Sequence, residues 1–164
     1  MSSAIQSGKL LWEIMRAWVL VGTLDILAAI IQTVVAGASI ERLMRYIASG
    51  AFGEAAFTGG AWYAIVGLVF HYLIAFTWTV LFFVLYPKLR LTTSNRMVVG
   101  IGYGAVIWFV MNRIVLPLSN VPQRPFDLQR AIIAAFVLMV AIGIPLSFRA
   151  QKYFSGTSAG GENG

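Results

Sequence analysis

Residues 61–85 read AWYAIVGLVFHYLIAFTWTVLFFVL, an apolar stretch without Asp, Glu, Lys or Arg. A hydrocarbon core about 30 Å thick needs about 20 helical residues, so this stretch is long enough to cross a bilayer once. Three more apolar stretches of about 20 residues, each with one or two charged residues, occupy residues 14–36, 97–116 and 128–148. The sequence therefore predicts an all-α polytopic membrane protein with four transmembrane helices in an antiparallel bundle.

Composition supports this class independently. Hydrophobic residues make up 59% of the 164 residues and charged residues only 11%, whereas soluble domains carry about 25% charged residues. We therefore assign residues 1–154 to one transmembrane domain, with no room for a soluble catalytic module beside four spans. Because the chain has no cysteine and one histidine, disulfides, thiol nucleophiles and His-rich metal sites are excluded. We expect no metal and no cofactor.

The charged residues between the spans predict the orientation. An even number of spans places both termini on one side, and short loops rich in Lys and Arg face the cytoplasm. The terminal side carries seven basic residues, Lys9, Arg16, Lys88, Arg90, Arg96, Arg149 and Lys152. The other side carries five, Arg42, Arg45, Arg113, Arg124 and Arg130. We therefore expect cytoplasmic termini, and we attribute the net charge of +6 to topology rather than to nucleic-acid binding.

The first apolar stretch has an alternative interpretation. Lys9 and Arg16 precede it, and Ala36-Gly37-Ala38 at its end matches the A-x-A pattern of a signal-peptide cleavage site. The stretch is longer than the apolar core of an ordinary signal peptide, and it contains Asp25 and Gln32. These features favour a retained membrane helix.

The connections between spans differ in character. Residues 39–50 combine apolar residues at helical spacing with charges between them, which predicts a short amphipathic helix lying in the membrane interface. This helix either floats among the lipid headgroups or serves as a lid or partner surface. Prolines at 117, 122 and 125 predict an extended third connection. Residues 155–164 have no apolar content to bury and predict a disordered tail.

Two ionisable residues lie deep within the predicted spans. Asp25 is about eleven residues into its span, or about 16 Å at 1.5 Å per residue. His71 reaches a similar depth in the next, antiparallel span. Since an isolated charge at this depth costs at least about 2.5–3.5 kcal/mol, we expect both side chains to face inward and to form a hydrogen bond. The pair is either a structural clamp between helices or part of a proton relay, because histidine titrates near neutral pH.

Further polar residues gather in the outer half of the spans. Gln32 lies one heptad after Asp25, and Asn112 and Arg113 lie at a similar depth in span three. The face of span one that carries Asp25 and Gln32 is either a close-packing surface between helices or the wall of a polar seam that opens toward the periplasm. Arg113 either extends to the outer surface or holds an anion or a lipid headgroup.

Four glycines are candidate helix-packing positions. Gly100 and Gly104 form the G-x-x-x-G pattern by which membrane helices approach closely. Gly22 in the first span and Gly67 in the second are the other two candidates.

Several short motifs carry a resemblance to a family. They include Gly22-Thr23-Leu24-Asp25, Gly67-Leu68-Val69-Phe70-His71, Met111-Asn112-Arg113, Pro117-Leu118-Ser119 and Arg124-Pro125-Phe126. With these motifs the chain resembles an uncharacterised family of small four-span bacterial inner-membrane proteins. The resemblance implies a fold and a location in the bacterial inner (plasma) membrane. It implies no catalytic residues.

Two functions compete at this point. The first is a structural or accessory subunit that packs against a membrane-protein partner or a second copy of itself within the lipid bilayer. The second is a small oligomeric transporter or proton-coupled permease that uses Asp25 and His71. A membrane enzyme ranks last, because neither a Ser-His-Asp order nor paired carboxylates are evident. Haem is disfavoured because a single histidine cannot supply two axial ligands.

Overall fold

The computed structural model describes residues 2–122, 125 and 127–159, and the side chains among them from residue 7 to residue 156. Its helices are α1 (Ser2–Val35), α2 (Ile40–Phe52), α3 (Ala55–Thr58), α4 (Trp62–Lys88), α5 (Arg96–Leu118) and α6 (128–159). No strand occurs in this part of the chain. Four of the helices, α1, α4, α5 and α6, are long and apolar enough to cross a membrane. The protein is thus an all-α bundle of the kind that multi-pass membrane proteins form.

α1 and α6 extend beyond the predicted limits of their spans toward the two chain termini. α1 begins at Ser2 and α6 ends at Ala159. The structure corrects the predicted disordered tail for residues 155–159, because they continue α6. The Phe154 ring stacks on Tyr86 with centroids 5.7 Å apart, and this contact holds the turn from which the helix continues. Residues 160–164 of the predicted tail lie outside the described residues.

Side-chain contacts show which ends of the helices meet. Arg149 of α6 donates to Glu13 of α1 at 3.3 Å. Gln151 of α6 donates to the carbonyl oxygen of Thr92 in the α4–α5 connection at 3.5 Å. We call this the terminal end, and the opposite end, which carries α2 and α3, the α2 end. The N-terminal part of α1 and the C-terminal part of α6 therefore lie on the same side of the bundle.

A close-packed core fills the half of the bundle next to the terminal end. Its buried residues are Ile14, Ala17, Val21, Trp78, Phe82, Phe83, Tyr86, Ile107, Ile142, Leu146 and Ala150, which we call the packed core. The Phe82 ring packs against Tyr103 at a tilt of 53° with centroids 4.5 Å apart, and the Tyr103 hydroxyl donates to the carbonyl oxygen of Trp78 at 2.6 Å. Since side chains from α1, α4, α5 and α6 interlock here, dispersion contacts hold the four spans in fixed positions.

The amphipathic helix of the first connection is packed into the bundle. Ser39 caps α2 by accepting a hydrogen bond from the Arg42 N–H at 3.2 Å, as the sequence predicted. Met44 and Ala48 of α2 are buried, and the backbone of Met44 lies so close to Gly67 of α4 that a Cβ there would collide with it. The interpretation of α2 as a helix that floats among headgroups is therefore wrong, because glycine at 67 lets the two backbones touch.

Hydrogen bonds fix α2 to its surroundings. The Arg45 guanidinium donates to the carbonyl oxygens of Ala56, Phe57 and Gly59 at 2.8–3.2 Å and pairs with Glu41 at 2.8 Å. The N–H of Asn120 donates to the Gly50 carbonyl oxygen at 3.0 Å, and its side chain donates to Ala51 at 3.1 Å. These bonds close the α2 end with a rigid cover.

Two of the spans contain a π-helical turn, Met111–Val115 in α5 and Met139–Gly143 in α6. In α5 the Leu116 N–H bonds to the Met111 carbonyl, which lengthens the hydrogen-bonded ring by one residue. The helix then continues through Pro117 to Leu118 instead of becoming extended at 117. Proline is tolerated there because it occupies the first turn after the shift, where its missing N–H is not needed.

Candidate functional site

A cavity of about 200 Å³ lies between α2 and the four spans, on the α2 side of the packed core. Each of the five longest helices contributes to its wall, for example through Asp25 of α1, Ile47 of α2, His71 of α4, Met111 of α5 and Leu138 of α6. Most of the lining is aliphatic. We call this space the α2 cavity. Its wall includes Asp25 and His71, the two ionisable residues that the sequence places deep within the spans.

His71 is held in a defined orientation. Its Nε2 lies 2.8 Å from the carbonyl oxygen of Gly22 on α1, and its ring meets Tyr72 edge-on with centroids 5.4 Å apart. Because a carbonyl can only accept a hydrogen bond, Nε2 carries the hydrogen. In the neutral imidazole the other nitrogen, Nδ1, is then an acceptor.

Asp25 lies next to this free nitrogen. Its Oδ2 is 4.0 Å from His71 Nδ1, so the structure brings the two residues together as the sequence predicted. The distance is too long for the direct hydrogen bond that we expected. The bond from His71 goes to Gly22 instead. Among the described residues, no hydrogen bond to the Asp25 carboxylate is present, and the side chain is 22% exposed.

The outer polar residues do not join this pair. Gln32 is exposed and donates to the Ala28 carbonyl oxygen of its own helix at 3.3 Å. Asn112 likewise donates to Trp108 at 2.8 Å, and Arg113 is exposed and outside the cavity lining. Gln32, Asn112 and Arg113 therefore do not line the cavity beside Asp25 and His71. Gln32 shares a face with Asp25, but the end of α1 extends beyond its neighbours, and Val35 is 83% exposed.

All four predicted packing glycines lie at close approaches. A Cβ on Gly22 would lie 3.0 Å from the Tyr72 ring, and Gly67 touches the α2 backbone. Cβ atoms on Gly100 and Gly104 would lie 2.7 Å from the Cα of Ile144 and the N of Met139, both in or beside the π-turn of α6.

Sequence reasoning missed some of the residues that build this region. Gly143 is the glycine of α6 that faces Gly100 and Gly104, and a lone glycine in an apolar span gives little signal. Tyr46 and Ser119 line the cavity. Both lie in segments whose positions depend on tertiary contacts rather than on local pattern.

Ser119, His71 and Asp25 all line the cavity, but their hydrogen bonds do not form a hydrolytic triad. In a triad, one histidine nitrogen accepts the serine proton while the other donates to the carboxylate. Here His71 Nε2 donates to Gly22, and Ser119 Oγ donates to the Leu116 carbonyl oxygen at 2.8 Å. Across the described chain, no three His, Asp or Glu side chains converge as metal ligands would. The arrangement is suited to holding a small apolar group beside two acceptors.

Comparison of the chain with protein-family models, with curated proteins and with solved structures found no match. What the site does therefore has to be argued from its own contacts.

Proposed function

We propose that the protein is a multi-pass protein of the bacterial inner membrane that serves as a structural or accessory subunit and catalyses no reaction itself. The observation that carries this proposal is the packed core. Phe82, Tyr86 and Leu146 are 0–1% exposed and fill the bundle between the α2 cavity and the terminal end. A subunit needs a fixed shape, and a close-packed interior supplies it.

The polar groups of the spans support the same role. Asn112, Gln32 and Thr79 each donate to a carbonyl oxygen four residues earlier in their own helix. A pathway for protons or solutes needs polar groups that follow one another across the membrane. Bonds that return to the same helix satisfy the polar groups without building such a path.

The outer surface offers room for partners. Ile65 of α4, Phe109 of α5 and Phe136 of α6 are 56–67% exposed. In a membrane such side chains contact lipid tails, a second copy of the chain or the helices of another protein, and packing rather than water drives helix association there.

Purification in mild detergent tests the subunit role. We expect a stable complex of defined stoichiometry, with another membrane protein or with a second copy. Ile65→Trp, Phe109→Ala and Phe136→Ala change the exposed faces of different helices, so each serves as a control for the others. One of them should lower the stoichiometry while the other two leave it unchanged. A monodisperse monomer in every mild detergent would contradict the proposal.

The alternative is a small oligomeric transporter or proton-coupled permease. It is favoured by one observation, the 4.0 Å approach of Asp25 and His71 beside a cavity. In this case Asp25→Asn abolishes proton-coupled flux in proteoliposomes, whereas Gln32→Leu, at an exposed position of the same helix, preserves it. Proton flux that is the same for both variants and for protein-free vesicles rules this function out.

The proposed orientation has both termini in the cytoplasm. It is supported by the seven basic residues predicted for the terminal side against five for the other side. A reporter enzyme fused after residue 164 that is active only in the cytoplasm is the expected result. Activity of a reporter that works only in the periplasm would reverse the orientation.

A further inference from the structure

The α2 cavity has the properties of a ligand site, and nothing in the proposed subunit role requires one. We propose that it binds a ring-sized apolar group that carries an O–H or N–H donor, the chemistry of a phenol, a hydroquinone or an indole. The donor bonds to the acceptors of Asp25 and His71, and the ring lies against the aliphatic wall. This inference goes beyond the subunit role and does not depend on it.

The size of the cavity sets the size of the ligand. Engineered apolar cavities of about 150 Å³ bind benzene. At about 200 Å³ the α2 cavity accommodates a substituted single ring or a small fused pair. Ile74, Ile107 and Ile142 are among the residues that present carbon to it, and apolar walls around a few convergent polar groups are typical of small-molecule sites.

Hydrogen-bonding capacity sets the polar part of the ligand. Because Nε2 of His71 already donates to Gly22, the neutral ring leaves Nδ1 as an acceptor. The carboxyl group of Asp25 also offers an acceptor oxygen, with no hydrogen bond to it among the described residues. Two acceptors cannot bond to each other. At 4.0 Å apart, however, His71 Nδ1 and Asp25 Oδ2 are both within reach of one donor placed between them.

The lining of the cavity disfavours an anionic ligand. The described lining contains Asp25 and no Lys or Arg. An anion entering the cavity would be buried among apolar side chains without a cation to pair with it, which is strongly unfavourable. A neutral donor therefore fits better than a carboxylate or a phosphate.

The backbone irregularities of the spans converge on the same space. Met111 and Val115 of the α5 π-turn line the cavity, as does Ile142 of the α6 π-turn. π-turns inside α-helices are frequent at functional sites. Two π-turns on neighbouring helices thus contribute side chains to the wall of one cavity.

Fluorine NMR of the full chain in detergent micelles tests the proposal with two probes, 4-fluorophenol and fluorobenzene. The probes share a ring, but only the phenol carries a donor. We expect saturable binding of both, with the phenol bound about 5- to 30-fold more tightly, the middle of the range that one hydrogen bond gives. Equal affinities, or no saturable binding of either probe, would overturn the proposal.

A matched pair of glycine variants separates the cavity from the micelle. Gly50 lines the cavity, and a Cβ there meets its nearest neighbour, Val121, at 3.8 Å, so Gly50→Leu fills the space without a clash at Cβ. Gly102 is exposed, and a Cβ there meets no described heavy atom within 4 Å. We expect Gly50→Leu to abolish saturable binding and Gly102→Leu to retain it. If Gly50→Leu aggregates, Ala75→Leu fills the cavity from α4 instead.

Asp25→Leu tests the polar contact separately. It should reduce the preference for 4-fluorophenol at least threefold and leave fluorobenzene binding within twofold of the unmodified protein. An unchanged preference, or binding in Gly50→Leu equal to that in Gly102→Leu, would refute the assignment. Displacement of 4-fluorophenol by a prenylated hydroquinone identifies the ring as a lipid headgroup, and displacement by free phenols alone identifies a free aromatic. A lipid headgroup and a free aromatic molecule both fit the proposed ligand chemistry. Neither result bears on whether the protein forms a complex in mild detergent, so the subunit role is tested separately.

Discussion

The two halves of the bundle differ in packing although the same four spans form both. Next to the terminal end, aromatic and aliphatic side chains such as Phe82 and Tyr86 fill the interior. Next to the α2 end, the spans leave about 200 Å³ empty, and the Asp25–His71 pair lies on the wall of that space. The polar pair thus lies beside a cavity rather than within the packed core.

The difference has a structural origin in the α2 half. α2 inserts its backbone against Gly67, and the π-turns change the direction of side chains in α5 and α6. α2 and side chains from both π-turns line the cavity of this half, whereas the packed core fills the other half. The comparison separates a half that fixes the shape of the bundle from a half with a cavity, where we propose that a ligand binds.

The largest effect is expected from the contact that holds α2 in place. Gly67→Leu places a side chain against the backbone of Met44, which cannot move aside without displacing α2. We expect a loss of at least about 3 kcal/mol of unfolding free energy, the upper range for overpacking. Thermal unfolding in detergent measures it. Gly102→Leu, at an open position of α5, is the control and should change stability by less than about 1 kcal/mol.

A smaller effect distinguishes the packing of the two halves directly. Phe82 is 1% exposed in the packed core, so Phe82→Ala should cost about 3 kcal/mol. Ile47 is half-buried and already borders the cavity, so Ile47→Ala loses fewer contacts and should cost about 1 kcal/mol. Equal losses in the same unfolding assay would mean that the halves are packed alike.

The smallest effect is expected from the polar pair. Since Asp25 and His71 are 4.0 Å apart, their contact contributes little to stability, and Asp25→Asn should change the unfolding free energy by about 0.6 kcal/mol. Gln32→Leu, at an exposed position of α1, should have no measurable destabilising effect. If Asp25→Asn lowered the unfolding free energy by more than about 2 kcal/mol, the pair would be a strong clamp between α1 and α4, and the half with the α2 cavity would not be loosely held.

Sequence reasoning reached the features that depend on length and depth. Apolar stretches of sufficient length located all four spans, and counting residues from the ends of two antiparallel spans brought Asp25 and His71 together. Glycines in apolar stretches indicated close approaches. Gly67 gave the correct signal although its partner, the backbone of α2, was not identified.

The remaining features depend on contacts that a local pattern does not encode. The amphipathic pattern of α2 is the same for a helix on a lipid surface and for one packed on α4. The π-turns have no distinctive residues, and they carry α5 through Pro117. Gln32 shares a helix face with Asp25, but whether that face is covered depends on where the neighbouring helices end.

A matched pair of serine-to-cysteine variants tests the central claim, that the terminal half is close-packed whereas the α2 half contains a cavity that small molecules can enter. The chain has no natural cysteine, so each variant carries a single thiol. Ser147 is 0% exposed in the terminal half, and Ser119 lines the α2 cavity. With a membrane-impermeant thiol reagent on both sides of the membrane, we predict that Ser119→Cys is labelled and Ser147→Cys is protected. Rapid labelling of Ser147→Cys would contradict the account, because it would require the packed core to open.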